Sequence, residues 1–111
     1  MDNAPHAAVD YILKHREEYA KAKARRVFLE EFRKSKKAML MKHALQMGYE
    51  AVNAQEREAY RDAEYIAVLE GLQVAIEVEE TLKWGLEAAR MRVDVWRTEE
   101  ATNRMVDTSP Q

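Results

Sequence analysis

The side chains best suited to chemistry in this sequence are charges set at helical spacing. Arg16, Lys23, Arg26, Arg33 and Lys37 recur at steps of three, four and seven residues, which puts them on one face of a helix about 31 Å long, close to one turn of duplex. Such a row can track phosphates, and these five residues are the candidate nucleic-acid-binding surface. Further along, Glu70, Glu77, Glu80, Glu87 and Asp94 form an acidic row whose spacing mirrors the basic one. Two such rows can also neutralise each other. If the chain folds back near residue 55, paired residues have numbers summing to about 110, which matches Arg16 with Asp94, Lys23 with Glu87 and Arg33 with Glu77. Glu31 and Glu79 satisfy the same sum and could share a cation or a proton. Lys34 and Lys83, three and four residues downstream of them, make ordinary ion pairs the simpler reading. Mutual neutralisation outweighs phosphate binding, since the pI is about 5.9 and no exposed aromatic-basic motif accompanies the cations.

Other reactive types are poorly arranged. There is no cysteine. His6, His15 and His43 lack any Glu-x-x-His or His-x-x-x-His spacing, so no metal site is expected. Ser35 has no base at a diagnostic distance, and no glycine-rich phosphate loop is present. The sequence therefore predicts no catalytic residue, no cofactor and no enzymatic activity. Its methionines read as packing groups.

The elements that carry these charges are helices. The chain of 111 residues has three glycines and two prolines, Pro5 and Pro110, so nothing between the prolines forbids long helices in a single domain spanning 1–111. A first helix is predicted over 7–47, stopped by Gly48 in a left-handed conformation. Residues 48–62 form a connection holding a short helix, with Asn53 and Glu56 as a capping box and Asp62 as a second cap. The second long helix covers 63–105, and 1–6 and 106–111 fray. The fold class is all-α: a long antiparallel helical hairpin, coiled-coil-like, assembling into a helical bundle.

At 100° per residue, the first helix shows an apolar stripe of Val9, Leu13, Ala20, Ala24 and Val27, joined by Phe28, Phe32 and Met39. The second has Tyr65, Leu69, Leu72, Ile76, Leu82, Leu86, Val93 and Trp96 at steps of three and four, the drift of a left-handed two-helix seam. More small and apolar residues lie off that stripe. Gly71, Val74, Val78, Trp84, Gly85, Ala88, Met91 and Val95 form a candidate oligomer interface, with Gly71, Val78 and Gly85 suited to close backbone approach. A homodimer or larger assembly is expected, with Trp96 in the hairpin core and Trp84 between subunits; a base-stacking role for the indoles is the alternative.

The net charge of −2 conceals a division. Residues 1–49 have eleven Lys/Arg and six Asp/Glu, whereas residues 50–111 have seven and fourteen. No apolar run of about 18 residues suggests a membrane span. The N-terminus has no basic stretch leading into an apolar core, so cytoplasmic residence is expected.

Three blocks resemble small helical proteins of temperate tailed phages and prophages: Phe32-Arg33-Lys34-Ser35-Lys36-Lys37-Ala38-Met39-Leu40-Met41, Ala54-Gln55-Glu56-Arg57-Glu58-Ala59-Tyr60, and Val95-Trp96-Arg97-Thr98-Glu99-Glu100-Ala101-Thr102-Asn103-Arg104. The resemblance covers about residues 20–105. It implies a bacterial cytoplasmic setting and a phage or host DNA-metabolism protein as partner, in recombination or replication. It brings no catalytic residues with it.

Overall fold

A computed structural model describes residues 4–108, which form three helices: α1 (Ala4–Gln46), α2 (Val52–Arg61) and α3 (Ala63–Thr108). Two long helices are thus joined by a short one, and no strand occurs among the described residues. Residues 4–6 and 106–108, expected to fray, are helical; the rest of those expected frays lies outside the described residues. Pro5 costs α1 nothing, because the first turn of a helix has no intrahelical partner for the missing N–H.

Local signals near the turn hold in part. Gly48 has φ +106°, the left-handed conformation expected at the end of α1. Asp62 caps α3, its Oδ1 accepting from the Glu64 N–H at 2.8 Å. Asn53, the expected cap of α2, lies inside that helix instead; the N-cap is Ala51, which makes no side-chain capping bond. Gln55 satisfies the neighbouring backbone in another way, its amide donating to the carbonyls of Tyr49 at 3.0 Å and Glu50 at 3.2 Å.

Burial shows which face of each helix is used. On α1 the covered positions at heptad spacing are Ala8, Ile12, His15, Tyr19, Ala22, Arg26, Leu29, Arg33, Lys36 and Leu40, with Pro5 and Ala44 buried and Glu30, Phe32, Lys37 and Met41 half-buried besides. On α3 they are Tyr65, Val68, Leu72, Ala75, Glu79, Leu82, Leu86, Ala89 and Val93. Both series alternate steps of three and four, the heptad pattern of a coiled-coil seam. The α3 expectation is right for five of its eight residues, while Leu69, Ile76 and Trp96 sit at its edges, 36–40% exposed. The α1 stripe is misplaced by about one residue. Val9, Leu13, Val27, Phe28 and Met39 are exposed, Phe28 by 63%, and the seam instead carries Arg26, Arg33 and Lys36.

The chain divides into two units, Met1–Ala20 with Glu80–Gln111, and Lys21–Glu79. Within Lys21–Glu79, α1 and α3 run antiparallel, tied by Arg26 to Glu79 and by Lys36 to Glu64. These numbers sum to 105 and 100, so the predicted register near 110, and with it Arg33 against Glu77, is displaced by roughly one to three turns of numbering along the pair. The cause is that the seam itself contains charges, whose pairing fixes the alignment. Leu40, Ala59 and Tyr65, with Met41 packed against them, form the core where α2 meets both long helices. In the other unit Tyr11 stands over Gly85: a Cβ at Gly85 would lie 2.5 Å from the Tyr11 hydroxyl. That approach gives a sum of 96, which also displaces Arg16 from Asp94.

Candidate functional site

The five basic residues expected on one face meet different fates. Arg26 is held in the seam. Its Nε donates to Glu79 Oε2, its Nη2 to Glu79 Oε1 at 3.1 Å, and its Nη1 to Glu30 at 3.1 Å. The hydrogen bonds it donates to Glu79, then those to Glu30, raise the guanidinium pKa above its ordinary value, so the cation is fixed and committed to carboxylates. The Glu79 side chain is only 8% exposed, and its ionised form is tolerated because a bidentate partner faces it.

Lys37 is also engaged. Its Nζ lies 3.6 Å from Glu56 and 4.7 Å from the centroid of the Tyr60 ring. Tyr60 principally, and Glu56 in addition, raise its pKa. Tyr60 packs edge-on to Tyr65 at 5.5 Å between centroids, so the α2 aromatic positions the lysine as well as covering the core. Arg33 is half-buried. Lys36, outside the predicted set, binds Glu64 at 3.1 Å. Arg16 and Lys23 are exposed. The predicted basic face is thus divided between the seam, α2 and solvent.

Of the two carboxylates expected to come together, Glu31 pairs with Lys34 at 3.3 Å on the surface, and Glu79 pairs with Arg26 in place of Lys83. Among the described residues, no group of three or more His, Asp or Glu is gathered to hold a metal ion.

The expected oligomer residues fall on the side of α3 away from its seam. In Lys21–Glu79, Val74 is 58% and Val78 48% exposed, and no atom lies within 4 Å of a Cβ built on Gly71. In the unit of the chain ends, Trp84 is 60%, Met91 52% and Val95 57% exposed, and Ala88 is exposed as well. The Trp84 Nε1 donates to Glu80 at 3.1 Å. Gly85 differs from its expected role: it faces Tyr11 of the same chain, so its close approach is intramolecular. An open cleft of ≈ 390 Å³ adjoins it, lined by Ala7, Ala8, Tyr11, Gly85, Ala88, Ala89 and Arg92. Tyr11 also packs on His15, with 4.2 Å between ring centroids.

Sequence reading missed the seam ion pair Arg26–Glu79. The signal was available: Arg26 and Glu79 each continue a three-four series of otherwise small or apolar residues, Ala22 and Leu29 on one side, Ala75 and Leu82 on the other. The chain matches no protein-family model, and comparison with curated proteins and solved structures gives no match.

Proposed function

We propose that the chain is a non-enzymatic accessory protein whose long helices serve as a scaffold: it self-associates and offers a charged, partly apolar helical surface to a protein partner. The resemblance to temperate-phage proteins supports a bacterial cytoplasmic setting beside recombination or replication factors. No described helix is long and apolar enough to cross a membrane.

One observation carries this reading. The seam cations Arg26 and Lys36 are engaged by carboxylates of the same chain, while large apolar side chains on the outer side of α3 stand in water. Exposed apolar surface rimmed by polar groups marks an interaction site. Arg16 and Lys23, which are exposed, support direct nucleic-acid binding as the second reading.

Two measurements separate the readings. Sedimentation velocity across a hundredfold concentration range is expected to show association, and a strictly monomeric chain would refute the scaffold. Fluorescence anisotropy with labelled single- and double-stranded DNA is expected to show no binding at low salt. Affinity that falls steeply as salt rises would instead establish the second reading.

A further inference from the structure

Resting on the reading that the chain offers a charged surface to a protein partner, we infer that a cleft built around Arg33 receives a carboxylate from an acidic segment of that partner. The cleft lies within the Lys21–Glu79 unit, has a volume of ≈ 260 Å³ and is lined by Arg33, Lys34, Lys37, Tyr60 and Tyr65. All three helices build it: the cations come from α1, one ring from α2 and the other from the first turn of α3.

Arg33 is the cation left without a counter-ion. Arg26, Arg33 and Lys36 are the charged members of the α1 seam in this unit. Arg26 is held by Glu79 and Glu30, and Lys36 by Glu64. Arg33, half-buried like them, makes no hydrogen bond or ion pair among the described residues. Each lysine of the cleft already has a carboxylate, Lys34 that of Glu31 at 3.3 Å and Lys37 that of Glu56 at 3.6 Å. The cleft therefore keeps the charge of one guanidinium that this chain does not neutralise.

That charge and its shape select the ligand. A guanidinium presents parallel N–H donors that match a carboxylate in a bidentate pair, and its partial burial strengthens attraction to an incoming anion. A single carboxylate balances the charge that remains. A nucleic-acid strand, with a charge at every phosphate, calls for a row of free cations, and here two of the three are already paired. The walls are set in advance: Lys37 sits 4.7 Å from the centroid of the Tyr60 ring, which packs edge-on against Tyr65. Tyr60 is 47% exposed and offers ring surface to the aliphatic part of an acidic side chain. Because the cleft is open, a small free carboxylate would stay largely hydrated. An acidic segment can also meet Lys34, which is exposed and held only by a surface ion pair.

The test is fluorescence anisotropy of the full chain with a labelled oligoglutamate peptide at low salt. Binding is expected, weakened about tenfold by Arg33→Met and roughly threefold by Arg33→Lys, which keeps the charge and loses the fork. Lys23→Met removes the same charge from an exposed position of α1 and should change affinity by less than about twofold. Urea unfolding reads Arg33 without any ligand: methionine in place of an unpaired, half-buried cation should leave the midpoint unchanged or raise it. No peptide binding, equal losses for Arg33→Met and Lys23→Met, or a midpoint lowered as far as by Arg26→Met would overturn the site. Displacement by millimolar free glutamate, or tighter Arg33-dependent binding of a labelled oligothymidylate, would overturn an acidic segment as its occupant. A chain that binds the peptide yet stays monomeric would refute self-association and leave the cleft standing; one that associates without binding the peptide would do the reverse.

Discussion

Replacing Leu40 and Leu45 by alanine, one at a time, tests the seam phase with the chemistry held constant. Both leucines are on α1, five residues apart, and Leu40 is 8% exposed whereas Leu45 is 50% exposed. Each change removes three carbons, worth about 0.8 kcal/mol apiece when fully buried. For Leu40 nearly all of that is lost, and the space opened beside Ala59 and Tyr65 adds a cavity cost, giving about 3 kcal/mol. For Leu45 half the side chain already meets water and solvent fills the gap, giving about 1 kcal/mol. Helix propensity changes equally in both and cancels. At about 4 °C per kcal/mol for a chain of this size, thermal melts followed by far-UV circular dichroism should show Tm lowered by about 12 °C for Leu40→Ala and about 4 °C for Leu45→Ala. Equal losses, or a larger loss at Leu45, would refute the assigned burial of α1.

Arg26→Met and Glu79→Leu should each lower the urea midpoint, because each leaves the other charge in the seam without its partner; the double variant should recover much of the loss, since well-packed apolar residues can replace a buried ion pair. Additive midpoints would contradict the pairing. Lys37 offers a pH test. Its folded pKa is raised above 10.5 by Tyr60 and Glu56, so its stabilising contribution is fully present below the unfolded value and is lost as pH rises through the higher folded value. Wild type should melt above Lys37→Met by a constant margin up to about pH 10, and that margin should close at higher pH; a margin that persists to pH 12 would rule this out.

Features decided by a few adjacent residues were legible in the sequence. Gly48 ends α1 because only a glycine adopts its backbone conformation without strain, and Asp62 caps α3 through its own side chain. The two long helices were legible because no proline lies between Pro5 and Pro110. The face of α1 was not. Its apolar residues are spread around the helix, with Leu13, Val27 and Phe28 outside the seam and His15, Arg26, Arg33 and Lys36 within it, so hydrophobicity alone pointed to the neighbouring stripe. On α3 the seam is more uniformly apolar and the reading was closer. The register failed for the same reason. Charge rows were matched on surface residues, whereas the Arg26–Glu79 pair that fixes alignment lies inside the contact. The exposure of Trp84 and Val78 was easier to read, because each only has to lie off the seam.

The Arg26–Glu79 pair also bears on how the hairpin finds its alignment while folding. A shift of α1 by one heptad would keep every small and apolar position in phase but would set Arg26 beside Leu72. The Glu79 carboxylate, only 8% exposed, would then lose the guanidinium that answers its charge. That direction of slip is therefore disfavoured, and the two repetitive helices resist sliding past one another toward it.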